Sequence, residues 1–204
     1  MNNPDARLYA PATERNREAI FKVLLEVLPP TGTVLEVSSG TGEHAVFFAP
    51  RLTPRYWLPS DLNPLALASI NAWRSYTKCE NLYPPIALDA SSPNWELGKV
   101  EPISAIANIN MIHIAPWEAC LGLMAGAGRI LPPGGILYLY GPFTRGGKHT
   151  APSNAAFDES LKEQNPDWGV RDLDKVIKVA NSQQLTLVKT IAMPANNLSV
   201  IFQR

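Results

Sequence analysis

Val34-Leu35-Glu36-Val37-Ser38-Ser39-Gly40-Thr41-Gly42-Glu43-His44 is an apolar run, with β-branched Val34 and Val37, that breaks into a small glycine-bearing turn. His44-Ala45-Val46-Phe47-Phe48-Ala49 follows with a helical pattern. Strand, glycine turn and helix in that order open a nucleotide-binding α/β unit. Gly40 and Gly42 remove side chains where a ligand would approach the backbone, and they permit a left-handed conformation. Glu36 puts a carboxylate at an apolar strand end, which is costly without a partner or a ligand. The third glycine of the dinucleotide-binding G-x-G-x-x-G turn is missing, because Glu43-His44-Ala45 follows Gly42.

The chain around this turn has 204 residues, 46% of them hydrophobic and 18% charged, which is enough for one domain, 1–204, with a sizeable core. Lys and Arg number 18 and Asp and Glu number 18, so no basic excess is available for phosphate contacts, which argues against a nucleic-acid binder. Cys79 and Cys120 form no C-x-x-C pair and have no His at metal spacing. They read as thiols of a reducing compartment, and no metal site is expected. Met1 to Arg7 contains no apolar segment of the kind a signal peptide needs. No apolar run approaches the roughly 20 residues that span a bilayer, so a cytoplasmic location is expected.

The double prolines Pro29-Pro30, Pro84-Pro85 and Pro132-Pro133 each adjoin an apolar run and mark element boundaries. Ile20, Val23, Leu24, Val27 and Leu28 recur at helical spacing, which predicts an amphipathic helix over Glu14 to Leu28 with Thr13 as its N-cap. Tyr9, Glu14, Arg15 and Asn16 lie at its start, either as a solvated first turn or as part of a binding surface. A strand over Thr33 to Val37 leads into the glycine turn. A second strand, Arg55 to Asp61, ends in an acid about twenty residues after that turn. A carboxylate there accepts hydrogen bonds from ribose hydroxyls in doubly wound folds. Asp61 could instead cap the next helix, but Asn63, before Pro64, is the better cap. That helix is predicted over Pro64 to Thr77. A third strand, Ile86 to Leu88, closes in Asp89-Ala90-Ser91, where Asp89 is either a ligand residue or an Asx-turn. Trp95 follows, as a core aromatic or beside a ligand.

A fourth strand, Ile103 to Asn108, runs into Ile109-Asn110-Met111-Ile112-His113-Ile114-Ala115-Pro116-Trp117. Its carboxyl end falls at the edge where ligands bind in open α/β sheets. Asn108, Asn110 and His113 are polar in an apolar setting and need partners, either as satisfied core residues or as part of a site at this edge. A helix over Trp117 to Ile130 is followed by a strand over Gly135 to Tyr140. The segment Gly141 to Asn154 is polar and glycine-rich, reads as non-core, and should lie over the substrate side. Arg145, Lys148 and His149 make it basic, which suits a carboxylate or phosphate, unless it is a mobile surface loop with incidental charge. Helices over Ala155 to Gln164 and about Leu173 to Ser182 precede two closing strands, Leu185 to Ile191 and Leu198 to Phe202, joined by Ala192 to Asn197. There Asn196-Asn197 supply turn geometry or face a pocket.

E-x-x-x-G-x-G at Glu36 to Gly42, the acids Asp61 and Asp89, Leu131-Pro132-Pro133-Gly134-Gly135 before the fifth strand, and the closing hairpin together resemble class I S-adenosylmethionine (SAM)-dependent methyltransferases. A closer likeness is carried by Pro11-Ala12-Thr13-Glu14-Arg15-Asn16, Pro59-Ser60-Asp61, Asn110 to Trp117, Gly146 to Asp158, Trp168-Gly169-Val170-Arg171-Asp172 and Met193-Pro194-Ala195-Asn196-Asn197-Leu198. These resemble the signatures of the DUF938 family, also called UPF0585, which includes the methyltransferase-like 26 proteins. The resemblance covers nearly the whole chain. It implies a Rossmann-like, three-layer α/β/α fold with a mostly parallel seven-stranded sheet and a C-terminal antiparallel hairpin. It also implies SAM as cofactor, with S-adenosylhomocysteine as product.

In that reading Glu36, Ser38, Gly40, Thr41, Gly42, Asp61, Leu62, Asp89, Ala90 and Asn108 would hold the cofactor. His113, Asn110 and His149 are the candidates for the chemistry, since His titrates near neutral pH. Tyr9, Arg15, Asn16, Lys148, Asn154 and Asn196 are the candidates for a small-molecule acceptor. Asn108-Ile109-Asn110-Met111 lacks the prolines and aromatic of the Asn-Pro-Pro-Tyr/Phe motif, which weakens a nucleobase-amino acceptor. Two other readings stand beside this one: a SAM-binding protein without methyl transfer, and an NAD-type or nucleotide-sugar Rossmann enzyme. The absent third glycine and the closing hairpin argue against the latter.

Overall fold

A computed structural model describes residues 5–204; the first four residues of the Met1 to Arg7 segment considered above lie outside the described residues. In chain order the elements are α1 (Pro11–Val27), β1 (Thr33–Val37), α2 (Glu43–Phe48), β2 (Tyr56–Asp61), α3 (Pro64–Thr77), β3 (Ile86–Ala87), β4 (Ile103–Ile109), α4 (Trp117–Ile130), β5 (Ile136–Gly141), β6 (Thr144–Arg145), β7 (Lys148–His149), α5 (Pro152–Gln164), α6 (Leu173–Ser182), β8 (Thr186–Met193) and β9 (Asn197–Gln203). Seven strands form one sheet in the order β3-β2-β1-β4-β5-β9-β8, and β6 and β7 form a separate small hairpin. β3, β2, β1, β4 and β5 run parallel, while β9 is antiparallel to both β5 and β8.

β1, the middle of the five parallel strands, is buried at every residue, as expected where both faces of a parallel sheet are covered. On one face Leu35, Ile106, Leu137 and Phe202 pack with Leu123 and Met124 of α4 and Val176 of α6. On the other, Val34, Trp57 and Tyr138 pack with Ile20 and Leu24 of α1 and Phe48 of α2. Two helical layers thus sandwich the sheet. The chain builds outward from β1 to β3, then crosses back to β4. The gap between the carboxyl ends of β1 and β4 is therefore the switch point, the place where open α/β sheets bind ligands.

Some boundaries differ from those predicted. α1 begins at Pro11, not Glu14; its N-cap is Ala10, whose side chain makes no capping bond, and Thr13 is already inside the helix. Proline at the first helical position costs no hydrogen bond, because that N–H has no intrahelical acceptor. α5 likewise begins at a proline, Pro152, rather than at Ala155. The segment after β5 is also not wholly outside the core. Phe143 is 1% exposed and packs edge-on against His113. Trp95 is half-buried against the core: a methyl group at Gly126 of α4 would collide with its ring.

Candidate functional site

The glycine turn is fastened from beneath by hydroxyls and a carboxylate. Ser39 N donates to Ser60 O over 2.7 Å, and Ser60 N donates to Ser39 Oγ over 3.1 Å. Ser60 Oγ donates to the Glu36 carbonyl over 2.8 Å. Asp61 then closes the turn, accepting Gly40 N on Oδ2 and Asn63 N on Oδ1, each over 2.9 Å. Asn63 is the cap of α3 through Leu65 N, as its place before Pro64 predicts. Each Asp61 oxygen keeps a second lone pair.

The two glycines differ in what they permit. Gly42 is left-handed at φ 87° and a Cβ there would meet Ile70 of α3 at 2.9 Å, so Gly42 lets α3 approach. Gly40 is left-handed at φ 57° and a Cβ there would meet nothing within 4 Å, so the backbone faces open space. Ser38 is also left-handed, at φ 59°, an uncommon state for a residue with a side chain. The Thr41 carbonyl accepts from Ser69 Oγ, which in turn accepts from Leu8 N. Ala10 N donates to Glu43 Oε2, which also accepts from Thr41 Oγ1. Residues 8–10 therefore strap onto α3 and the start of α2. Tyr9 is 63% exposed and lies edge-on to Trp73 of α3, part of that strap.

Glu36 and Asn108 stand behind this turn rather than in the crevice. Glu36 is 1% exposed and its Oε2 accepts from the Trp57 indole N–H over 3.0 Å, bracing β1 against β2. Burial pushes its pKa up to about 7. Asn108 is 1% exposed and donates through Nδ2 to the Val37 carbonyl, tying β4 to β1, while its buried Oδ1 has no partner. Asp89 does form the Asx-turn, accepting Ser91 N and Ser91 Oγ on Oδ1, and the residue is exposed. Ala90 is buried beside it, and Leu62, after Asp61, is 64% exposed.

Past β4 the chain turns through Asn110, left-handed at φ 65°. Its side chain makes no hydrogen bond among the described residues and lines a cavity of about 620 Å³. Ala12, Arg15 and Asn16 of α1 form one wall, Tyr140 and Pro142 the floor, Ser153, Asn154 and Phe157 of α5 a second wall, and Pro194 to Asn197 the rim. Asn16 Oδ1 accepts from His44 Nε2 at 2.8 Å. Asn154 is spent on Thr150 Oγ1 and the Asn196 carbonyl, and Asn196 Nδ2 donates to Ser153 Oγ. These last two hold the cavity's shape. Asn196 is left-handed at φ 58°, so the turn geometry and the pocket position expected for it coincide.

Two of the three candidates for the chemistry lie elsewhere. His113 is 0% exposed; its Nδ1 accepts from Arg171 N and its carbonyl from Gly169 N. Nε2 therefore carries the proton, and it is buried without a partner. Burial pushes the imidazole pKa down to about 3, with Arg171 adding to the shift. A Cβ at Gly141 would meet this Nε2 at 2.5 Å and Asn110 Oδ1 at 3.2 Å, so Gly141 keeps both in place. His113 is a packing residue beneath the cavity floor, not a lining one. His149 lies in β7, 3.3 Å from Asp158 Oδ2, which also binds Lys162. It faces a different cavity, of about 840 Å³, with Lys175 and Lys178. Lys148 is exposed and lines neither cavity. The basic hairpin is held on that other side, because Asp172 accepts from Thr144 Oγ1 and Gly147 N. The cavity residues that sequence reasoning passed over are Ala12, Tyr140, Pro142, Ser153, Phe157, Pro194 and Ala195. Tyr140 had a usable signal, being the last residue before the glycine that ends a strand beside the switch point.

Several solved structures with the same architecture are methyltransferases by name. The SAM-dependent methyltransferase SibL superposes with a TM-score of 0.75 at 20% identity, covering 95% of this chain and 55% of that one. An O-methyltransferase family protein from Burkholderia thailandensis gives 0.78 at 16% identity over 95% and 57%. An O-methyltransferase family 2 protein from Planctomyces limnophilus, solved with apigenin, gives 0.73 at 18% identity over 92% and 61%. The chain thus spans little more than half the length of these proteins, and at such identities the likeness carries the Rossmann-like fold. The sequence relationship is direct: residues 7–204 match the family described as protein of unknown function DUF938, and the chain belongs to that family.

Proposed function

We propose that this chain, working as one domain, transfers a methyl group from SAM to a small-molecule acceptor. One juxtaposition carries the reading. The open backbone at Gly40, fastened by Asp61, and the cavity beside Asn110 lie at neighbouring strand ends across the switch point. A donor crevice and an acceptor cavity on adjoining strand ends are what a transferase between two small molecules requires.

The residues fit the cofactor. Asp61 retains lone pairs for the ribose hydroxyls, and Leu62 offers an uncovered apolar surface to the adenine. Asp89 keeps Oδ2 for the adenine amino group, with Ala90 beside it. Ser38 to Gly42 would pass beneath the methionine portion, where a Cβ at position 40 would intrude. Glu36 and Asn108 act on that turn from behind. Bound SAM supplies a methyl group on a sulfonium, open to in-line displacement. The protein's part is then to position the nucleophile and exclude water. Arg15, Asn16 and Asn110 would hold the acceptor, while Asn154 and Asn196 keep the cavity's form.

Calorimetry with SAM and S-adenosylhomocysteine, followed by methyl-labelled SAM incubated with a broad metabolite extract, tests this. Micromolar binding with label passing to a small molecule is expected. Binding without transfer would make the chain a SAM-binding protein only, and NAD displacing S-adenosylhomocysteine would overturn the cofactor.

A further inference from the structure

We infer that the acceptor is an organic acid with an apolar body, methylated on its carboxylate oxygen. The inference rests on the methyltransferase reading and adds the substrate class. Charge comes first. Arg15 is the one residue bearing formal charge in the cavity lining, and among the described residues it makes no ion pair or hydrogen bond. No carboxylate opposes it there. α1 and α5 both begin at this cavity, at Ala12 and at Ser153, and both are capped by alanines that offer no side-chain acceptor to the first-turn N–H groups. The positive ends of two helices and one guanidinium thus surround the same space. Tyr140 adds a hydroxyl: it is 3% exposed and lines the cavity beside the side-chain amides of Asn16 and Asn197. The free Asn110 amide is a further donor. Phe157, Pro142 and Pro194 give the rest of the space an apolar wall.

Proton balance comes second. An alcohol must shed a proton when it is methylated, and a base must stand within reach; an amine, mostly protonated at neutral pH, must shed one before it can attack, in a cavity whose one charged residue is a cation. The cavity lining holds neither His nor carboxylate. His149 is turned to Asp158 on another face, and His113 is sealed beneath Gly141. A carboxylate needs no base. Its oxygen lone pair forms the new O–CH3 bond while the C–S bond of the sulfonium breaks and its electron pair stays on sulfur. Anion and cation become a neutral ester and a neutral thioether, and no proton is released. A thiol, mostly protonated at neutral pH, would not meet that condition.

The test uses the full chain with phenylacetate and decanoate against the matching alcohols and amines. Methyl-labelled SAM supplies the readout, and alkali releases methanol from an ester but not from an ether or N-methyl product. Alkali-labile label from the acids alone is expected. Arg15→Ala should lower kcat/KM for the acids about tenfold or more, with S-adenosylhomocysteine affinity and melting temperature unchanged; Arg15→Lys should recover part of the loss. Alkali-stable label on alcohols or amines would overturn the inference and leave methyl transfer standing. So would S-adenosylhomocysteine binding without ester formation from either acid. If S-adenosylhomocysteine does not bind at all, the methyltransferase reading itself falls.

Discussion

Asp61 carries two tasks with one side chain. Its oxygens close the glycine turn through Gly40 N and start the α3 approach through Asn63 N, which leaves each a second lone pair. Asp61→Ala should weaken SAM binding by about 1.5–3 kcal/mol, as expected for lost charge-assisted hydrogen bonds, and unchanged affinity in calorimetry would refute the assignment. Gly141 is constrained differently, by space. A methyl group there would press on His113 Nε2 and Asn110 Oδ1. Gly141→Ala should cost about 1–3 kcal/mol of stability, in the range for overpacked cores, seen as a lower denaturant midpoint. It should also impair acceptor turnover more than cofactor binding, because Asn110 borders the cavity and the glycine turn is untouched.

Between elements, Asp172 is the main fastening of the region beyond β5. It caps α6 through Asp174 N and Lys175 N, and it holds the β6–β7 hairpin through Thr144 Oγ1 and Gly147 N. The Gly147 N–H, foremost among these bonds, holds its carboxyl below the usual range. Losing a cap alone costs about 0.5–2 kcal/mol. Asp172→Ala should therefore destabilise the chain by at least about 1 kcal/mol and speed amide exchange at residues 144–149. If exchange there is unaltered while α6 loosens, the hairpin is held by something else. Arg171 works next to it, donating to the carbonyls of Ile112, Ala115 and Asp167 and so pinning the turn after β4.

For the whole molecule, three buried groups set the pH response. Burial raises Glu36 from 4.5 to about 7 and lowers His44 and His113 from 6.5 to about 3. Between about pH 4.5 and 7 the folded chain holds a proton on Glu36 that the unfolded chain releases, so this group's stabilisation is lost as pH rises. Between about pH 6.5 and 3 the unfolded chain protonates both histidines while the folded chain does not, so stability is lost as pH falls. The two histidines outweigh the one glutamate in mild acid, and the curve flattens near neutrality. Glu36→Gln mimics the protonated carboxyl and keeps an acceptor for Trp57. Its melting temperature relative to the parent should climb between pH 5 and pH 8, by roughly 4 °C. A difference that stays flat with pH would show that Glu36 does not titrate in that range.

Much of this architecture was legible along the chain because its signals are local. α3, α4 and α6 lie where the helical pattern and their flanking residues placed them, with Asn63 before Pro64 starting one and Pro116 and Asp172 the other two. The glycine turn followed from backbone freedom, and the acids closing β2 and β3 from the spacing of alternating elements. Partners were not legible, since a polar residue does not reveal which distant group will satisfy it. Glu36 met Trp57, His113 met the backbone of Arg171, and His149 met Asp158, contacts that no local pattern announces. Conversely Tyr140, Ser153 and Phe157, unremarkable in sequence, share one cavity because β5 and α5 end and begin at its edge. Local pattern determined the elements and their order. Only packing across the sheet decided which side chains reach the space beside Asn110, because that depends on contacts between segments more than a hundred residues apart.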